Sequence, residues 1–134
     1  MTLKNLDSYT DLFKELNDRD FLYQSLLDYG KSIPDNVSIR TKENYINGCQ
    51  SQVWVVGSIT DNRWTFTLDS DAIMVKGIGK IVLDTYNDLT TEEILSITFH
   101  HFKSLTILLS TQRQRGLQAI INKIHTITQT GATQ

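Results

Sequence analysis

The chain has 134 residues, 40% hydrophobic and 21% charged, a size that fits one domain with its own core, because single cores usually serve roughly 100–200 residues. Its single cysteine excludes an internal disulfide and a secreted, disulfide-stapled scaffold. No stretch approaches the roughly 20 apolar residues of a membrane helix, and a net charge of −2 from 13 Lys+Arg against 15 Asp+Glu gives no general pull toward nucleic acid.

Residues Met1 to Asp7 show no basic segment leading into an apolar run, so no signal peptide is expected and a cytoplasmic location is. Tyr9, Leu12, Phe13 and Leu16 then fall at helical spacing, with Asp7 or Ser8 as the cap. Leu22, Leu26 and Tyr29 predict a second helix, stopped by Gly30 and then Pro34. Residues 34–47 read as a polar loop. From Gln52 the period changes: Val53 to Ile59 is β-branched and aromatic, Thr60-Asp61-Asn62-Arg63 supplies a turn, and Trp64 to Leu68 alternates, which together predict an antiparallel hairpin. Asp69, Ser70 or Asp71 is the expected cap of a helix carrying Met74, Val75, Ile78, Ile81, Val82 and Tyr86. Thr90 and Glu93 have capping-box spacing, as do Thr111 and Gln114 ahead of Leu117, Ile120, Ile121, Ile124 and Ile127. Phe99 to Leu109 reads as helical without a clear period, and 128–134 as a frayed polar tail. Helices, one small sheet and helices again predict an α+β fold, in one domain spanning 1–134 with no linker.

Charge is unevenly placed: residues up to Glu93 hold all the acids, whereas the remainder holds only Lys103, Arg113, Arg115 and Lys123. Such asymmetry either steers a partner to one face or merely solvates helices. Several motifs fail. Gly77-Ile78-Gly79-Lys80 lacks phosphate-loop spacing, with Ile81 where Ser or Thr is needed. His100 and His101 are adjacent and diverge on a helix, so they form no metal pair, and His125 lies off the apolar stripe, in solvent. One cysteine does not supply the four ligands an iron–sulfur cluster commonly takes.

Gly48-Cys49-Gln50-Ser51-Gln52 stands where the polar loop meets the hydrophobic strand. A free cysteine is most often simply packed, but three polar residues after this one are odd company for a core thiol. Its charged neighbours, Arg40, Lys42 and Glu43, give no plainly electropositive setting, so an ordinary thiol, mostly protonated near neutral pH, is expected. Gly77 and Gly79 in one helix turn each cost about 1 kcal/mol relative to alanine. Something therefore approaches closely, either the Cys49 loop or a packed neighbour.

The run Gly48-Cys49-Gln50-Ser51-Gln52-Val53-Trp54 resembles the signature of the SufE family, sulfur acceptors that work with cysteine desulfurases in iron–sulfur cluster assembly. Ser70-Asp71-Ala72 with Val75-Lys76-Gly77 resembles the family's second block, and Arg113 with Gly116-Leu117 its third. The third block departs from the pattern: Gln112 stands where serine usually precedes the arginine, and Arg115 is a second arginine beside Gly116. Counting back from Gly116 selects Arg113.

The resemblance spans nearly the whole chain and implies a SufE/IscU-like fold, a small antiparallel sheet packed against several helices. It implies that Cys49 takes sulfur as a persulfide from a SufS- or CsdA-like desulfurase, which carries the pyridoxal phosphate, and passes it to an iron–sulfur scaffold such as SufBCD. It further implies that Gly48, Gln50, Ser51, Gln52, Asp71, Lys76, Gly77 and Arg113 serve the loop or the partner contact. Asp71 is expected first as a helix cap. No cofactor, metal, nucleic acid or membrane is implied on this chain; a homodimer is compatible. The alternatives are a CsdE-like carrier feeding another pathway such as RNA modification, or a thiol redox protein, which the lack of a second cysteine and of a basic setting disfavours.

Overall fold

The β-branched and aromatic run after Gln52 forms strand β1 (Val53–Thr60), paired antiparallel with β2 (Arg63–Ser70). Asp61 and Asn62 join them with positive φ at both positions (53° and 66°), the left-handed pair that a type I′ turn needs and that Asp and Asn tolerate. Successive side chains alternate faces. Val53, Val55, Trp64, Phe66 and Leu68 therefore make one buried face, while Trp54 and Asp69, directly opposite one another, share the other. The structure is a computed structural model and describes residues 4–16, 18–47 and 50–131.

Around the sheet lie helices α1 (Lys4–Leu16), α2 (Arg19–Ser32), α3 (Ile73–Tyr86), α4 (Thr91–Ser96), α5 (Lys103–Thr106) and α6 (Thr111–Thr130), with 3₁₀ turns at Val37–Ile39 and Phe99–Phe102. This is the expected α+β architecture. Leu22 and Leu26 of α2, Ile78, Ile81 and Val82 of α3, and Leu117, Ile120 and Ile124 of α6 are buried in one core with the sheet. Each such side chain contributes about 1.5–3 kcal/mol on leaving water. Among the described residues, no helix is long and apolar enough to cross a membrane.

Element ends differ in informative ways. Helix α1 begins at Lys4, so Asp7 lies inside its first turn rather than capping it, and Ser8 lies inside the helix. Its buried residue is Leu6, with Tyr9 half-buried and Leu12 exposed; the side chains of Phe13 and Leu16 lie outside what is described. Helix α2 is capped by Asp18 and passes straight through Gly30. A Cβ on Gly30 would stand 2.1 Å from the Ile73 carbonyl oxygen, so that glycine serves packing, not termination.

Helix α3 has Ala72 at its N-cap and no side-chain cap. Asp69, Ser70 and Asp71 are all engaged elsewhere, which corrects the expectation that one of them caps it. The capping box of Thr90 and Glu93 forms with both of its bonds, 3.3 and 3.0 Å. The second box does not, because Ser110 is the cap of α6 and Gln114 turns back to donate to the Thr106 and Leu109 carbonyls. Helix α6 also runs on to Thr130, with Thr128 buried and Gly131 closing it at φ 64°. The expected fraying from 128 is therefore corrected as far as 131, and 132–134 lie outside the described residues.

Helices α2 and α3 meet backbone to backbone. A Cβ on Gly77 would lie 2.0 Å from the Leu26 carbonyl oxygen, and one on Gly79 2.7 Å from the Leu68 side chain. Among the described residues, the close approach predicted at these glycines is thus made by α2 and by β2.

His125 is half-buried rather than in solvent. Its Nε2 lies 3.2 Å from the Tyr86 hydroxyl, and the two rings meet edge to face. Burial pushes the Tyr86 phenol up, so its hydroxyl stays protonated. Burial likewise lowers His125 below its ordinary value of 6.5, against an opposing hydrogen bond to the Ile97 backbone. The native state then holds fewer protons on this ring than the unfolded chain does. Its contribution is complete above about pH 6.5 and is lost as pH falls through the lower folded value. Urea midpoints measured from pH 7.5 to 5 should fall in wild type and fall less in His125→Gln; equal slopes would remove His125 from the acid response.

Candidate functional site

Chemistry at a lone thiol depends on what the fold brings around it. Gly48 and Cys49 lie outside the described residues, but the chain on both sides of them is fixed. Ile46 N–H donates to the Val53 carbonyl and Val55 N–H to the Asn44 carbonyl, each at 2.9 Å, so 44–46 runs antiparallel beside β1. The cysteine therefore belongs to the connection between two paired segments.

The far end of that connection is clamped. Gln52 N–H donates to Asp71 Oδ1 at 3.0 Å, Asp71 N–H returns a bond to the Gln52 carbonyl at 3.3 Å, and Ser70 Oγ donates to the same carbonyl at 2.7 Å. Asp71 thus holds the loop to the start of α3 in place of the helix-capping role expected of it.

Gln50 and Ser51, the two residues after Cys49, line a cavity of about 270 Å³. Its other walls are Ala72, Ile73, Met74, Val75 and Ile78 from the start of α3, and Gln112, Arg113, Gly116 and Ile120 from the start of α6. Two helix N-termini therefore face one mostly apolar space. The macrodipoles of the two helices favour negative charge at these ends.

Arg113, not Arg115, lines this cavity; Arg115 is exposed. Among the described residues the Arg113 guanidinium forms no ion pair, and its Cζ lies 5.1 Å from the centre of the Tyr23 ring on α2. Among the described residues nothing stands where a Cβ on Gly116 would lie, so glycine here leaves the cavity wide rather than allowing close packing. Gln52 and Asp71 are exposed beside the cavity, while Lys76 and Gly77 are turned away from it.

Lys76 is buried, pairing with Asp35 and lying 3.7 Å from Asp69 Oδ1. Asp69 is completely buried, with Oδ2 2.6 Å from Arg40 Nε. Burial opposes its ionisation, but Arg40 and the backbone N–H groups of Ser70 and Asn36 outweigh that and hold the carboxyl below its usual range. The Arg40 guanidinium also lies 4.8 Å over the Trp54 ring, whose other neighbour is the edge of Tyr45. This charged cluster braces the segment before Cys49 against the sheet face opposite the core. Among the described residues, no group of three or more His, Cys, Asp or Glu is placed to hold a metal ion.

Tyr23, Met74 and Ile120 were not singled out as site residues by sequence, and neither was the brace of Arg40 and Asp69. Tyr23 gives no local signal because the cation it faces lies on a helix far along the chain.

Comparison with known proteins bears on the family and the fold. The family model described as "SufE: Fe-S metabolism associated domain" matches residues 7–128. An uncharacterized SufE-like protein of Rhizobium etli is 35% identical over 130 residues, covering 91% of this chain and 88% of that protein. One from Rhizobium meliloti is 34% identical over 130 residues, covering 91% and 93%. A solution structure of a hypothetical protein from Thermus thermophilus superposes with a TM-score of 0.80 over 98% of both chains at 18% identity, which establishes the shared fold.

Proposed function

The chain belongs to the SufE family, and on that premise we propose that it accepts sulfur on Cys49 from a pyridoxal phosphate-dependent cysteine desulfurase of the SufS or CsdA type. The sulfur then passes to an iron–sulfur scaffold such as SufBCD. The observation that carries this reading is a cavity: the two residues following the chain's sole thiol line an apolar space bordered by two helix N-termini and by an arginine that has no ion pair among the described residues.

The chemistry is thiol–disulfide exchange in which sulfane sulfur moves. The Cys49 thiolate attacks the outer sulfur of the desulfurase's cysteine persulfide, a new S–S bond forms, the old one breaks, and the desulfurase thiolate leaves. No oxidant or reductant is consumed. Positive potential favours the attacking thiolate and the persulfide anion that results. Apolar walls from Met74, Val75, Ile78 and Ile120 keep water and soluble thiols from the product, and Arg113 meets an anionic group of the donor. Asp71 and Ser70 hold the loop's far end, so the thiol has a defined approach.

Intact-mass spectrometry after incubation with a desulfurase and free cysteine tests the reading. Wild type is expected to gain one sulfur atom, mapped to Cys49 and removed by a reductant, and Cys49→Ser to gain none. Sulfur gained by the serine variant, or none gained by wild type across active SufS- and CsdA-like desulfurases, would overturn the proposal.

A further inference from the structure

An arginine in the first turn of a helix has a long side chain with many rotamers, and a charge that is not held in place gives little directed binding. Arg113 is partly fixed through its backbone, whose N–H donates to Ser110 Oγ at 3.3 Å. Its guanidinium has no ion pair or side-chain hydrogen bond among the described residues; its aromatic neighbour is Tyr23, with Cζ 5.1 Å from the ring centre. Stacking occupies a face of the guanidinium and leaves its in-plane N–H donors available to a ligand.

The ring itself stands on a stiff platform. Tyr23 is on α2, which α3 grips by the close approaches of Leu26 to Gly77 and of Gly30 to Ile73. From this arrangement we infer that Tyr23 is a positioning residue: its ring holds the Arg113 guanidinium at the cavity wall, donors outward, for an anionic sulfur or carboxylate group. The inference rests on the sulfur-acceptor reading for its biological use, but the arrangement has a chemical consequence that needs no desulfurase. Cys49 reacts preferentially with anionic disulfides in proportion to how well Arg113 is held.

The test compares rate constants for thiol exchange with dianionic 5,5′-dithiobis(2-nitrobenzoate) and neutral 4,4′-dithiodipyridine. Their ratio cancels changes in thiol exposure and reads local charge. Tyr23→Leu should lower the ratio about two- to fivefold, the range of an exposed cation–π contact. Tyr23→Phe, which keeps the ring and loses only the hydroxyl, should preserve it. Arg113→Ala should lower the ratio at least as far, and adding Tyr23→Leu to it should change nothing more. A lowered ratio in Tyr23→Phe, an unchanged ratio in Tyr23→Leu, or additive losses in the double variant would overturn the inference. Sulfur gain from the desulfurase is scored separately in wild type. Its absence with the ratio effects intact would defeat the sulfur-acceptor reading and leave the role of Tyr23 standing.

Discussion

Gly77→Ala is expected to destabilise the fold by about 3 kcal/mol, while the same substitution at Gly116 is expected to stabilise it by about 0.5–1 kcal/mol. Both positions are helical, so alanine brings each the same intrinsic gain of about 1 kcal/mol. They differ in what the new methyl group meets. At Gly77 it would stand 2.0 Å from the carbonyl oxygen and 2.7 Å from the carbonyl carbon of Leu26. These are backbone atoms of a packed helix, so α2 would have to move bodily from α3. At Gly116 nothing among the described residues lies within 4 Å. Urea midpoints of the two variants should therefore move in opposite directions. A stable Gly77→Ala protein would mean that α2 and α3 separate at little cost, and the platform under Tyr23 would then not be stiff. Gly116→Ala should also slow sulfur acceptance, because its methyl group enters the cavity; a stabilised protein with slower transfer separates the site from the scaffold.

Asp69→Ala is expected to cost about 3 kcal/mol, the scale for removing one partner of a buried ion pair and leaving the others uncompensated. The charges left behind belong to Lys76, which is buried, and Arg40, which is partly exposed and keeps its contact with Trp54. The pH dependence has a definite sign. The native carboxyl lies below its ordinary value of 3.8, so near that pH the unfolded chain binds a proton that the native protein refuses. The contribution is complete above the ordinary value and disappears as pH falls through the lower folded one. Asp69→Asn keeps the shape without the charge, so the stability gap between wild type and this variant should be wide at pH 6 and narrow toward pH 2.5. A gap independent of pH would show that the loss came from packing rather than from the carboxylate. Because the cluster braces the segment that leads to Cys49, the Asn variant should also accept sulfur more slowly at neutral pH.

The features legible in sequence are those written in consecutive residues. The hairpin follows from a β-branched and aromatic run before Asp61-Asn62 and alternation after it, the start of α4 from the spacing of Thr90 and Glu93, and the inner face of α6 from apolar side chains at helical spacing. Even there, local rules miscarried where tertiary contacts competed for the same groups. Asp71 is spent on Gln52, Asp69 on Arg40, and Gln114 on carbonyls behind it. A polar side chain near a helix start caps it only when nothing else claims its oxygen.

The block around Cys49 was enough to name the family, because that signature is carried by a short continuous stretch. The cavity was not legible. Its walls come from the residues after the cysteine and from the starts of α3 and α6, elements far apart along the chain that meet only after the core has formed. Packing likewise separates two near neighbours, with Arg113 at the cavity against Tyr23 and Arg115 exposed. Residue type and spacing determined that this chain makes a hairpin packed with helices and carries one thiol at its edge. Only the tertiary structure decided what lies against the two residues that follow that thiol, because the field and shelter at a site are sums over groups that sequence separates and packing brings together.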